Sequence, residues 1–307
     1  RERIPNNIHE AMLTTLLSPD ENGNPTFSFV RDELKFDWFN WKNPKTNQIE
    51  RVWNPSRARL LALLLLIPIR SKQGRWLDQG LLDENISDNK SNTYVKNNHP
   101  LKKWKYPDVS THKKIYRRPS VALQPVQGSV IHDENLCIFI NTNKTQMWDQ
   151  EQKNGYELWW PTGNDLREID IVKLANQASH LDRPYNLIKD QIEWLQKYDP
   201  NPTPVTFANS LEDAKSVSPN YTYPYFTPIF RDPSNVYWEG ETEYNLPITY
   251  TKLNKLYSTL AVHTEIKLKN EGYQNTLTVE SKTKGTAHNG RKCRFNLHSL
   301  RVFGVSY

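Results

Sequence analysis

The stretch "WNPSRARLLALLLLIPIRSKQGRWLDQG" constrains the fold more than any other part of the sequence. Asn54 is a favoured N-cap residue and Pro55 suits the first position of a helix, so a helix is predicted to begin here. Its apolar character is nearly all-round, which predicts burial in the core. Pro68 is expected to end or sharply kink this helix and to set the start of a second one, with Arg70 in its first turn.

The remaining segments predict a mostly helical protein with a few strands. Helical spacing is found in Ile8–Leu17, "DLREIDIVKLANQAS", "RPYNLIKDQIEWLQKY" and "TKLNKLYSTLAVHTEIKLKN". Two strands joined by a polar loop are predicted from "SVIHDENLCIFINTNKTQ" and "GYELWWP", with Lys144 where the first strand ends. We therefore predict one α+β domain over residues 1–307, with a mixed lead-in segment at 1–53 and a surface insertion at 85–130. The strands are expected to form a small antiparallel sheet at one edge.

Basic residues are unevenly placed. Lys and Arg outnumber Asp and Glu by 40 to 34, and two clusters at Lys96–Arg118 and Lys282–Arg301 hold most of the local excess. Such clusters are typical of surfaces that contact phosphates, although a solvated basic loop explains either one equally well. The candidate DNA-contacting residues are Lys102, Lys103, Lys113, Lys114, Arg117, Arg118, Lys282, Lys284, Arg291 and Lys292.

Composition argues against three classes of protein, namely disulfide-rich, zinc-binding and membrane-spanning proteins. Cys137 and Cys293 are the only cysteines, far apart and without metal-ligand spacing, so neither a disulfide framework nor a zinc site is predicted. The longest apolar run, Leu60–Ile69, has about half the length that a bilayer span requires. We expect a cytoplasmic, DNA-associated protein without a membrane segment. Because the sequence begins on Arg1 without a Met, we expect a piece of a longer protein.

The segment "NLHSLRVFGVSY" holds the clearest candidate for chemistry. His298 and Arg301 share one face of a helix at i, i+3, and Asn296 is a plausible N-cap that puts His298 in the first turn. A proton-transfer group and a permanent cation aimed at one anion are what a phosphodiester reaction needs. Alone, the pair also fits a surface helix without a function. Arg70 adds to it, since a guanidinium beside the core needs a phosphate or a carboxylate such as Asp78.

Taken in order, an apolar helix, a break, "PIRSKQGRWLDQG", a hairpin lysine and "LHSLRVFGVSY" resemble the catalytic domain of tyrosine recombinases, the phage-integrase-like enzymes. The resemblance implies four catalytic residues. Arg70 matches the first arginine, Lys144 the hairpin lysine, and His298 with Arg301 the second motif. Lys153, on the other side of the same loop, is the alternative lysine.

The sequence departs from the family pattern at several positions. Ile67 and Pro68 stand where Thr-Gly often precedes the first arginine. Gln73 replaces an acid three residues after that arginine, and Val302 replaces a histidine that often follows the second one. These departures indicate a divergent branch, of the kind carried by mobile genetic elements.

The reaction implied by the resemblance is DNA strand cleavage and rejoining. A tyrosine attacks a phosphodiester and forms a 3′-phosphotyrosyl link, which conserves the bond energy without a nucleotide cofactor or a metal. Tyr307 lies only six residues after Arg301, on the same predicted helix, so the nucleophile is expected further along the parent protein, and this piece alone is expected to be inactive.

The implied partners are double-stranded DNA, further copies of the chain on that DNA, and accessory recombination proteins. Three alternatives remain open at this point. A type IB topoisomerase shares the same residues and chemistry. A DNA-binding protein of the same fold could have lost catalysis. An unrelated domain could match these motifs by chance.

Overall fold

The computed structural model describes residues 4–91, 93–104, 121–125, 136–141, 155–158, 182–206, 225–232, 245–274, 276–283 and 285–305, with 302–305 described by their backbone alone. The chain divides into two compact units, the first formed by Arg1–Gly74 with Ile248–Tyr307 and the second by Arg75–Pro247. In the part of the chain that the structure describes, no helix is long and apolar enough to span a bilayer.

The described part of the chain contains six α-helices and nine strands. The helices are α1 (Asn6–Leu17), α2 (Ser56–Leu66), α3 (Ser71–Arg75), α4 (Arg183–Tyr198), α5 (Tyr250–Asn270) and α6 (Leu297–Val305), with a π-helical turn at Phe29–Glu33 and a 3₁₀ turn at Pro100–Lys103. The strands are β1 (Trp38–Lys42), β2 (Ile49–Trp53), β3 (Asn85–Ser87), β4 (Tyr94–Lys96), β5 (Leu123–Pro125), β6 (Leu136–Ile140), β7 (Tyr156–Leu158), β8 (Thr278–Glu280) and β9 (Arg291–Cys293). This combination of helices with small antiparallel sheets agrees with the predicted α+β class.

Helix α2 is the centre of the first unit. It packs against α1, α5 and α6, and its leucines from Leu60 to Leu65 are at most 3 % exposed. The predicted start is confirmed to within two residues, because Asn54 Oδ1 accepts a hydrogen bond from the Ser56 N–H at 3.0 Å. The all-round apolar sequence therefore produces the core helix that it predicts.

Two hairpins complete the first unit. Strands β1 and β2 pair antiparallel from Trp38 opposite Trp53 to Lys42 opposite Ile49. Strands β8 and β9 also pair antiparallel, and β9 packs against α5. The chain passes from β9 into α6 within a few residues, so this second hairpin positions the helix that carries His298.

The second unit contains the predicted strands. Strands β6 and β7 pair antiparallel as predicted, and β5 adds a third strand on the other side of β6. Helix α4 has the predicted bounds, and its Tyr185 hydroxyl donates to the Leu136 carbonyl at 2.8 Å. Strand β5 falls inside the expected surface insertion 85–130, yet Val121–Leu123 are at most 2 % exposed, so this part of the segment is core. The helix predicted from "DLREIDIVKLANQAS" lies outside the described residues.

A buried polar network, which the sequence did not reveal, holds the second unit together. Arg231 is fully buried and donates to the Asp199 carboxylate, to Gln79 Oε1 at 2.8 Å and to the Pro228 carbonyl at 2.9 Å. A buried guanidinium is tolerated only when its donors are met in this way. We assign this arginine a structural role.

Candidate functional site

Arg70 lies at the break between α2 and α3. Helix α2 ends at Leu66, and Ile67 takes an extended conformation with φ −123° and ψ 147°. The break before Pro68 is therefore confirmed, because the residue before a proline avoids the helical region. Arg70 stands immediately before α3 rather than in its first turn, which corrects the predicted position by one residue.

Gln73 fixes the backbone of Arg70. The Gln73 Oε1 atom accepts a hydrogen bond from the Arg70 N–H at 3.0 Å, and the Gly74 N–H donates to the Arg70 carbonyl at 3.0 Å. A side chain three residues into a helix that reaches back to the N-cap N–H is half of a capping box. Gln73 is 3 % exposed and Arg70 is half-buried, so this contact is partly shielded from water. Gln73 stands where an acid was expected, and its amide oxygen still provides the hydrogen-bond acceptor.

Helix α6 begins as predicted. Asn296 caps it, since its Oδ1 accepts hydrogen bonds from the Ser299 N–H at 3.1 Å and the Ser299 hydroxyl at 3.3 Å. Leu297 and Leu300 are each 3 % exposed and anchor one side of the helix. His298 and Arg301 are partly exposed and lie together on a neighbouring face.

The packing of α6 on α2 brings the two candidate motifs into one unit. Arg70 follows α2 directly, and α2 contacts the helix that carries His298 and Arg301. Among the described residues, the Arg301 Nε atom is buried and meets no hydrogen-bond acceptor. A buried cationic donor without an acceptor is costly, and an anion bound to this guanidinium would offset that cost.

Asp78, the carboxylate considered for Arg70, has another set of contacts. Its Oδ1 atom accepts hydrogen bonds from the Gly80 N–H at 2.9 Å, the Thr227 N–H at 3.0 Å and the Thr227 hydroxyl at 3.1 Å. Those contacts hold two loops of the second unit together. These three bonds give Asp78 a structural role in that unit.

The β8–β9 hairpin is braced by a buried carboxylate on α5. Glu265 Oε2 accepts from the Leu277 N–H at 2.8 Å, the Thr278 N–H at 2.6 Å and the Thr278 hydroxyl at 2.8 Å. Burial alone would raise the pKa of Glu265, but hydrogen bonds from Lys269 and Thr278 hold that pKa below its ordinary value. The ionised carboxylate therefore fixes the start of β8, whose partner strand β9 leads into α6.

Cys293, at the end of β9, is unsuited to attack a phosphodiester. Burial raises the pKa of its thiol to about 11, so the thiol stays protonated at neutral pH. In the part of the chain that the structure describes, no three His, Cys, Asp or Glu side chains stand close enough together to hold a metal ion.

The candidate DNA-contacting residues differ in their surroundings. Lys103, Lys282 and Lys292 are exposed, whereas Lys102 lies 3.3 Å from a carboxylate oxygen of Glu84. Arg291 donates to the Thr278 hydroxyl at 2.7 Å and to the Thr278 carbonyl at 3.0 Å, and lies 3.6 Å from Glu265. The candidates outside the described residues are Lys113, Lys114, Arg117, Arg118, Lys284, both hairpin lysines Lys144 and Lys153, and Tyr307.

A comparison with protein-family models gives one match, to the family described as "Putative integrase", over residues 31–195. The match covers more than half of the 307 residues. The chain belongs to this integrase family. The matched span includes Arg70 and both candidate lysines, and it ends before His298 and Arg301. A search of the curated proteins and a search of the solved structures found no match.

Family membership supports an integrase-type function in DNA recombination, with DNA as the substrate. The sequence alone led to the same family, through the break after α2 and the two-residue motif on α6. It did not reveal the role of Gln73 or of Glu265. The role of Gln73 could have been suspected, because an acceptor side chain three residues after an N-cap position often bonds back to the N-cap N–H. The role of Glu265 depends on contacts between distant segments, for which no local pattern exists.

Proposed function

We propose that the chain carries the phosphodiester-binding groups of a tyrosine-type site-specific DNA recombinase. The observation that carries the proposal is the packing of α6 against α2, with Arg301 on α6 holding a buried Nε that meets no acceptor among the described residues. Membership of an integrase family supports the same reaction class.

Each candidate residue has a distinct role in this proposal. Arg70 and Arg301 bind the two non-bridging oxygens and stabilise the charge of the pentacoordinate transition state. His298 donates a hydrogen bond or moves a proton at the same phosphate. A tyrosine hydroxyl loses its proton to His298 and its oxygen forms the 3′-phosphotyrosyl bond as the bond from phosphorus to the 5′-oxygen breaks. Lys144, with Lys153 as the alternative, protonates the leaving 5′-oxygen. The 5′-hydroxyl of a partner strand then reverses the step.

The basic side chains outside the site serve DNA binding. The exposed Lys103, Lys282 and Lys292 contact phosphates in a manner that depends on salt, because each contact releases counterions. Recombination joins two DNA sites, so the proposal includes self-association of the protein on DNA. Accessory proteins are a further expectation of the family.

The test is the detection of a covalent protein–DNA adduct. Protein expressed from the complete parent reading frame is incubated with duplexes taken from the DNA on either side of its own gene, each carrying a nick that traps the cleaved state. A protein–DNA adduct that survives detergent and leaves a free 5′-hydroxyl is expected. Arg70→Ala and Arg301→Ala should each reduce its yield by roughly 100-fold, whereas Lys267→Ala, an exposed cation on α5, should leave it unchanged.

Two results would contradict the proposal. DNA binding without any adduct would identify a non-catalytic DNA-binding protein of the family. Relaxation of a supercoiled plasmid without strand exchange would identify a topoisomerase instead.

A further inference from the structure

The β1–β2 hairpin, residues 38–53, is a firmly anchored ribbon. At its base the Trp38 indole N–H donates to the Arg31 carbonyl at 2.8 Å, and the Trp53 indole N–H donates to the Phe36 carbonyl at 3.1 Å. Two indoles tied to the main chain fix the base of the ribbon on the first unit. The direction in which the ribbon points is therefore set by the fold.

The two faces of the ribbon differ in character. Residues that lie opposite each other in an antiparallel pair share a face. One face carries Phe39 and Val52, which are partly or fully buried. The opposite face is exposed along its outer half and consists of Asn40, Arg51, Lys42 and Ile49. Ile49 is 72 % exposed, so its side chain is open to a partner rather than packed within the unit.

The tip of the ribbon is an ordered turn. The Asn43 N–H donates to the Gln48 carbonyl at 2.9 Å, the Asn47 N–H to the Asn43 carbonyl at 2.8 Å, and the Lys45 N–H to Asn43 Oδ1 at 2.9 Å. Asn47 adopts a left-handed φ of 58°, which asparagine tolerates. The side chains of Lys45 and Gln48 are therefore presented from a fixed backbone.

Charge on the ribbon is sorted between its faces. The exposed face holds two cations, Lys42 and Arg51, and no acid. The one acid of the two strands, Glu50, lies on the other face and accepts a hydrogen bond from the Asn43 amide at 2.7 Å. The Arg51 guanidinium stands 5.8 Å from the centre of the Trp38 ring, which orients it over the same face.

We propose that this ribbon enters the major groove of duplex DNA and reads base pairs, so that it supplies part of the site preference. The inference rests on the proposed function in DNA recombination. The major groove admits a two-stranded β-ribbon, and the side chains of the exposed face match the groups found there. Arg51 and Lys42 suit guanine, Asn40 suits adenine, and Ile49 suits the thymine methyl group.

The test is selection from a pool of duplexes with a randomised core of about 20 base pairs, carried out with the full chain. Wild-type protein is expected to enrich a sequence motif. Arg51→Ala and Asn40→Ala should each relax the preference at one or two positions, by roughly 5- to 100-fold in relative affinity. Lys45→Ala should instead weaken binding to all sequences alike and lower the salt dependence by about one phosphate contact. The control Lys267→Ala should reproduce the wild-type motif.

The outcomes separate this inference from the function on which it rests. If the wild-type chain binds no duplex, the DNA-binding function fails, and the inference fails with it. If the wild type enriches a motif and the Arg51 and Asn40 variants enrich the same motif with equal strength, the ribbon does not read bases. Stronger selection from a pool of single strands than from duplexes would also overturn the inference.

Discussion

Gln73→Ala tests whether the backbone at Arg70 depends on one buried side chain. The Gln73 side chain is 3 % exposed, and its Oε1 atom accepts the Arg70 N–H at 3.0 Å. Removing the acceptor leaves a partly buried N–H without its partner, which costs about 1–3 kcal/mol. The loss of one buried methylene adds about 1 kcal/mol. We therefore expect the free energy of opening this segment to fall by about 2–4 kcal/mol.

Hydrogen exchange followed by mass spectrometry measures this loss locally. The peptide that spans residues 67–74 should exchange roughly 30- to 1000-fold faster in Gln73→Ala than in the wild type. This ratio of opening constants is the expected loss of about 2–4 kcal/mol converted to a rate ratio. Gln73→Glu keeps an acceptor oxygen at a helix start, so it should lose less protection than the alanine variant. Gln274→Ala, at an exposed glutamine of the same unit, serves as the control. Equal protection in Gln73→Ala and the control would refute the capping argument.

Three further predictions follow from buried or strained groups of the fold. Glu265→Ala leaves two buried backbone N–H groups without their acceptor and should lower the unfolding free energy in urea by about 3–5 kcal/mol, whereas exposed Glu280→Ala should change it by less than about 0.5 kcal/mol. Burial lowers the pKa of His9 below its ordinary value of 6.5, so the unfolded chain protonates first and stability should fall as the pH drops through 6.5 and towards the folded pKa. Urea titrations at a series of pH values should show this slope in the wild type and a shallower slope in His9→Gln, because burial also lowers the pKa of His288, which still contributes. Gly80→Ala should lower the melting temperature more than Gly23→Ala, because both glycines have a left-handed φ near 80° but only at Gly80 would the new Cβ meet a valine Cβ at 2.5 Å.

Local sequence rules were sufficient where the structure depends on neighbouring residues. The start of α2 follows from Asn54, its end follows from Pro68, and the cap of α6 follows from Asn296. Each of these features is decided within one helical turn. The same locality explains why the break at Arg70 and the shared face of His298 and Arg301 could be predicted without a structure.

Contacts between distant segments were beyond those rules. The Arg57 guanidinium donates to the Lys252 carbonyl at 3.1 Å, and Asp78 binds Thr227. No pattern in either local sequence indicates its distant partner. The ribbon was missed for a different reason: aromatic residues occupy both of its faces near the base, so "WFNWK" does not show the alternation that predicts a strand.

The first unit is built from two segments that are far apart in the sequence, and this has a consequence during synthesis. Its core joins α1 and α2 to α5 and α6, which are made only after the whole of Arg75–Pro247 has been translated. At about 5–20 residues per second the ribosome needs roughly 10–35 s for that interval. During this interval the leucine-rich α2 has been made but α5 and α6 have not. A nascent chain in that state exposes apolar surface, which chaperones can bind and through which chains can aggregate. Arg70 is therefore made well before His298 and Arg301, and the proposed anion site can be assembled only once α6 has been made.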